Sequence, residues 1–242
     1  MTESITVDPR FCGPPRSANG GYISGLLAEE LRQRTGHAIA TVTLRRPTPL
    51  ATPLSLRADD DDPAGATLRC EVDGTMVAEV TAGHFEAHAP DPVPYEVAAA
   101  AEHGYTGAVG HPFPTCFVCG PDREPGDGLR LAPGSVPDRD GTVATAWKAP
   151  SAAGIPVVWA ALDCPGGWSV VRPERPMLLG QMTAEVFATP VAGGDYVVVG
   201  QSRGIDGRKG YTSSALFDHS GGLLARAEAT WIQINLGALD AG

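Results

Sequence analysis

Two stretches decide how this chain is read: Asn19-Gly20-Gly21-Tyr22-Ile23-Ser24-Gly25-Leu26-Leu27-Ala28 and Gly154-Ile155-Pro156-Val157-Val158-Trp159-Ala160-Ala161-Leu162-Asp163. Each opens a helix. The first joins a polar residue to paired glycines but has only Ala28 seven places after Gly21. The second lacks the paired glycines and carries an acid, Asp163, at the corresponding place. Each half of the chain therefore reads as half of a site.

Working outward, the spacing predicts a short strand over residues 4–7, a turn at Gly13-Pro14-Pro15 and a helix over 17–34 that stops at Gly36. Tyr22, Ile23, Leu26, Leu27 and Leu31 give that helix its apolar face. Strands are expected over 39–46, 54–59 and 67–86, the last as a hairpin about Asp73-Gly74, with a solvated turn rather than a metal site at residues 59–62. Residues 89–111, rich in proline and alanine, read as a linker with a short helix near 95–102. The order then repeats: strands near 128–131 and 142–147, an apolar helix from Pro156 to about residue 171, and strands over 178–189, 196–202, 211–217 and 223–234. Pro165 should kink or end that helix, because it has no N–H and disfavours helical geometry at Cys164. A helix followed by antiparallel strands, met twice, argues for an α+β fold with units at 1–88 and 112–242.

The pattern resembles the hotdog-fold thioesterases, whose motif is His-Gly-Gly, six residues, then Asp or Glu on a helix wrapped by a sheet. Asn19 and Gly154 stand where that family has histidine. Cys116-Phe117-Val118-Cys119-Gly120 followed by Gly128-Leu129-Arg130-Leu131 also resembles the opening of single-hotdog thioesterases. The resemblance implies a double hotdog in one chain, with the glycine-rich helix start of one unit facing the acid of the other. It further implies hydrolysis of an acyl thioester on coenzyme A or a carrier protein, with coenzyme A entering only as part of the substrate and no other cofactor. Two other functions stand beside it: an acyl-CoA or lipid binder without turnover, and a hotdog hydratase or dehydratase, whose Asp-x-Asn-Pro-x-His motif is absent.

Composition narrows the partners. The chain has 242 residues, 43% of them hydrophobic, enough for a continuous core. A net charge of −10, from 18 basic and 28 acidic residues, weighs against a nucleic-acid backbone as ligand. No apolar run of membrane-spanning length and no basic-then-apolar leader is present, so a cytoplasmic protein with no membrane partner is expected. Paired units within one chain leave further homo-oligomerisation open without requiring it. The odd, scattered set Cys12, Cys70, Cys116, Cys119 and Cys164 does not suggest a disulfide framework.

Thioester hydrolysis needs a base or nucleophile at the carbonyl carbon and donors at the oxygen that becomes negative. Backbone N–H groups of Gly20 and Gly21 at a helix start fit the donors, or else simply pack the helix entry. Asn19 either caps the helix or aims its amide at the thioester oxygen. Asp163, an acid in an apolar segment, is the candidate catalytic carboxylate, its alternative being a structural cap on the reversal at Pro165. Gln181 and Thr183 are candidate partners of that acid or ordinary sheet residues. Arg203, Arg208 and Lys209 are candidate phosphate contacts or a solvated hairpin tip. Cys116 and Cys119 supply only two zinc ligands and no second pair follows at finger-like spacing, so no metal is expected. Cys164 as a nucleophile would need a histidine that the sequence does not place near it.

Overall fold

The computed structural model of the protein describes residues 3–58, 62, 66–149 and 153–238. Of the expected solvated turn at 59–62, all but Asp62 lies outside the described residues. The first half holds strands β1 (Glu3–Ile5), β2 (Ile39–Leu44), β3 (Leu54–Ala58), β4 (Thr67–Val72) and β5 (Thr75–Ala82), with helix α1 (Gly20–Thr35) between the first two. A short helix α2 (Tyr95–Ala101) follows. The second half holds β6 (Gly134–Ser135), β7 (Thr142–Lys148), helix α3 (Ile155–Trp168), β8 (Met177–Val186), β9 (Asp195–Asp206), β10 (Lys209–Asp218) and β11 (Leu223–Gln233).

Local chemistry sets the ends of these elements. Asn19 caps α1 by accepting the Tyr22 N–H at 2.9 Å, and Gly36 closes it in the left-handed region at φ 80°. The β4–β5 hairpin turns on Asp73 and Gly74, at φ 48° and 74°, the pair of positive angles that a tight two-residue turn requires.

All eleven strands join one sheet in the order β1-β3-β4-β5-β2-β8-β11-β10-β9-β7-β6, each pair antiparallel. The halves meet at a β2–β8 seam, where Thr41 pairs with Thr183 and Thr43 with Gln181. Helix α1 packs on β2, β4 and β5 and reaches across the seam to β8, α3 packs on β7 to β11, and the two helices pack on each other. This is a double hotdog.

The helices approach closely because two glycines one helical turn apart face α3. A Cβ on Gly21 would come within 2.5 Å of Asp163 Cβ, and one on Gly25 within 2.6 Å of Pro156 Cα. Leu27, Val158, Trp159 and Leu162 are fully buried around this crossing, while Tyr22 and Leu26 pack at its edge.

Two expectations need correction. Helix α3 runs through Pro165 to Trp168, close to the expected span of 156–171, so the proline does not end it although it removes one backbone donor. Strand backbone holds that last turn: a Cβ on Gly200 would lie 2.0 Å from Pro165 O, and one on Gly167 would meet the Trp231 ring at 2.6 Å. Enclosure on that scale outweighs a single lost hydrogen bond. Next, residues 128–131 form no strand; Leu129 and Leu131 donate to the carbonyls of Phe117 and Val118, fastening an irregular loop to the Cys116–Cys119 turn. The segment after residue 88 carries a short helix, α2, near the expected 95–102, and it packs on the sheet. Val93 and Ala98 lie on the reverse face of the second-half sheet with Val197, Val199, Ala215 and Phe217, whereas the intervening Val198 and Leu216 face the main core, as strand alternation dictates.

The crossing makes a test. Gly25→Val should cost about 3 kcal/mol, the upper range for forcing a side chain into a packed interior. Urea denaturation measures it, and an unchanged midpoint would contradict the close approach of the helices.

Candidate active site

Asp163 projects from the middle of α3 at the point where the start of α1 crosses it. Its side chain is only 3% exposed, and its Oδ2 accepts the Gly21 N–H at 2.9 Å and the Asn19 amide at 3.1 Å. Oδ1 is buried with no hydrogen-bond partner among the described residues. Burial pushes the Asp163 carboxyl up to about 7, against the opposing pull of the Gly21 amide and Asn19. The positive end of the α1 dipole lies against the same carboxylate.

Asn19 resolves its two readings by serving the protein on both sides. Because Tyr22 N–H requires an acceptor, Oδ1 turns to the helix, and Nδ2 is left for Asp163. The amide is thus spent on the acid. Gly21 calls for a similar correction: its N–H is occupied by Asp163, and its missing side chain admits α3 rather than a ligand. The Gly20 N–H makes no hydrogen bond to the described residues and is the donor left at this helix start.

A cavity of 940 Å³ opens beside these groups. Asn19, Gly20 and Leu44 line it from the first half and Asp163, Cys164, Trp168, Leu179 and Trp231 from the second. Exposed Arg16, Arg45 and Arg46 also line it, forming a basic rim on an otherwise acidic chain. Arg45 has Glu79 at 3.5 Å.

The other expected contacts lie elsewhere. Gln181 and Thr183 alternate with the core residue Met182 and so face away from the helices. They hold the seam, Gln181 Nε2 donating to Thr43 Oγ1 at 2.9 Å and Thr183 Oγ1 lying 2.8 Å from Thr41 Oγ1. Arg203 pairs with Glu228 at 3.1 Å, Arg208 donates to Gln233 O at 2.9 Å, and Lys209 is exposed where β10 begins; none lines the cavity. Arg45-Arg46-Pro47 carries no motif and lies just past the end of β2, so sequence spacing gives no signal for these rim arginines.

The structure also adds a third thiol to the Cys116–Cys119 pair. Cys164 comes from α3, with its sulfur 3.8 Å from that of Cys116, and His111 Nε2 lies 3.3 Å from Cys119 Sγ. Hydrogen bonds from Cys119 and Cys164 hold the Cys116 thiol below its usual range. Burial and a hydrogen bond with Cys116 raise Cys119, and hydrogen bonding to Cys116 raises Cys164.

No family model matches the chain, and no curated protein matches it. Solved structures do. A hotdog-fold protein of unknown function from Alicyclobacillus acidocaldarius aligns with TM-score 0.62 and 16% identity over 96% of this chain and 92% of that one. The acyl-CoA thioesterase II TesB2 of Mycobacterium marinum aligns with TM-score 0.60 and 12% identity over 97% and 96%. A dehydratase domain of a mycocerosic acid synthase-like polyketide synthase aligns with TM-score 0.63 and 14% identity over 97% and 92%. At these identities the likeness establishes the double-hotdog fold.

Asn19 offers a direct test of the network. Asn19→Ala removes a helix cap and a donor to a buried carboxylate, and should lower stability by about 2 to 4 kcal/mol. Asn19→Ser keeps the cap and should recover about 1 kcal/mol of that. Equal losses in the two variants, measured by urea denaturation, would show that the cap contributes nothing.

Proposed function

We propose that the protein hydrolyses an acyl thioester, with Asp163 as the base that activates water and the start of α1 as the site of the developing oxyanion. The observation that carries this reading is the composite junction: a buried carboxylate of one half is oriented by Gly21 and Asn19 of the other, on the wall of a cavity lined by both. Fixing Oδ2 by two donors leaves Oδ1 as the atom able to take a proton. Water attacks the thioester carbon as Asp163 accepts its proton, and the carbonyl oxygen becomes negative near the Gly20 N–H. Collapse of the tetrahedral species breaks the carbon–sulfur bond, and the leaving sulfur takes the proton back from Asp163. The products are a carboxylic acid and a thiol.

Coenzyme A is the proposed carrier. Its phosphates carry negative charge, and Arg16, Arg45 and Arg46 on the cavity rim replace the hairpin residues Arg203, Arg208 and Lys209 as their candidate partners. The apolar wall of Leu44, Leu179, Trp168 and Trp231 suits the acyl chain.

Following free thiol with a panel of acyl-CoAs tests the reaction. Asp163→Asn should reduce turnover at least about a hundredfold, the usual scale for losing a general base. Activity that survives this change would remove Asp163 from the chemistry. Enoyl product without thiol release from a hydroxyacyl-CoA would favour the dehydratase reading, and binding without either product the non-catalytic one.

A second measurement addresses the rim. Arg45→Glu combined with Arg46→Glu should raise KM for acyl-CoA about tenfold, the equivalent of about 1.4 kcal/mol, and leave an acyl N-acetylcysteamine substrate unaffected. Equal effects on both substrates would rule out phosphate recognition there.

A further inference from the structure

The three buried thiols that line the cavity are not used by the reaction above. Cys116, Cys119 and Cys164 place their sulfur atoms within 4.8 Å of one another, and the 3.8 Å between Cys116 and Cys164 matches the edge of a tetrahedron with metal–sulfur bonds of about 2.3 Å. We propose that these three cysteines bind one thiophilic divalent ion of the zinc type, independently of whether the protein is a thioesterase.

The loop that carries two of them is built to present sulfur. Gly120 N donates to Cys116 O at 3.0 Å, folding the Cys-x-x-Cys-Gly segment back on itself. The turn is too tight for a side chain at Gly120, whose Cβ would meet Cys116 N at 2.5 Å. Tyr105 Oη donates to Cys119 O at 3.1 Å, pinning the second thiol. Asn19 Nδ2 lies 3.9 Å from both Cys116 Sγ and Cys164 Sγ, an N–H donor on the flank of two prospective thiolates.

His111 supports the site without being a ligand. Its Nδ1 accepts the Phe113 N–H at 2.9 Å, so the ring proton sits on Nε2, which points at Cys119 Sγ at 3.3 Å as a donor. Three thiolates then leave one tetrahedral position, and because all three cysteines line the cavity that position falls to water or a cavity ligand. The all-sulfur donor set selects zinc over magnesium or calcium. Binding displaces the thiol protons to solvent.

Sequence reasoning expected no metal because it counted two ligands. The third lies on a different element.

Elemental analysis of the full, untagged chain purified without chelator should give about one zinc per chain. After chelation, added cobalt(II) should produce the sulfur-to-metal charge-transfer band and intense visible bands of a tetrahedral thiolate site, and a small thiol should shift those bands through the open position. Cys164→Ser should abolish stoichiometric binding, Cys70→Ser should leave it unchanged, and His111→Ala should keep the metal with affinity reduced about tenfold or more. Wild-type protein that holds no zinc and gives no cobalt spectrum would overturn the site. So would a Cys116–Cys164 disulfide found by mass spectrometry in place of the ion. Loss of metal in His111→Ala, or cobalt bands indifferent to thiol, would overturn the three-thiolate, open-position form.

Discussion

The contact between Gly21 and Asp163 is the constraint on which the rest of the structure depends. An unpaired carboxylate in an apolar interior is costly, and its two donors come from the start of a helix in the other half of the chain. Those donors reach it only because α1 carries glycine at positions 21 and 25, where any Cβ would strike α3. The same absence of side chains that lets the helices cross also brings the positive helix end to the acid. Packing and electrostatics are therefore one feature here.

From that crossing the remaining geometry follows. The β2–β8 seam joins the two halves into one sheet, with Thr41, Thr43, Gln181 and Thr183 tying its outer face. The helices lie on the other face, and the cavity opens where the lining of one half meets that of the other. The segment between the halves covers the reverse of the second-half sheet, so the apolar residues of β9 and β10 are buried on both faces. The aromatic stack of Phe11 on Tyr22, 3.8 Å between centroids, with Phe117 edge-on at 4.9 Å from Phe11, holds the cysteine loop against the start of α1. The thiol cluster and the carboxylate thus share the Asn19 amide as a common neighbour.

Much of the fold was legible along the chain. Periodicity located both long helices, Gly36 marked the stop of the first, Asp73-Gly74 marked the turn of a hairpin, and the inequality of the two helix openings pointed to Asp163 and the Gly20-Gly21 pair. Those signals are local, since helix caps, turns and apolar spacing are written within a few residues. The errors came where local rules met enclosure. Pro165 should break a helix in water, yet the strands packed around it hold the turn; Gly128-Leu131 has strand composition, but its hydrogen bonds go to the loop beside it.

The sequence by itself determined the α+β class, the repetition of units and the presence of an acid in an apolar helix, because each is a property of adjacent residues. Only the tertiary structure decided which groups meet: that Gly21 donates to Asp163 rather than to a ligand, that Arg16, Arg45 and Arg46 rim the cavity instead of the Arg203–Lys209 hairpin, and that Cys164 joins Cys116 and Cys119. Sequence spacing cannot carry that information. Residues 45 or more places apart are brought within bonding distance by strand register and by the depth to which one helix can sink against another, and both are set by packing across the whole chain.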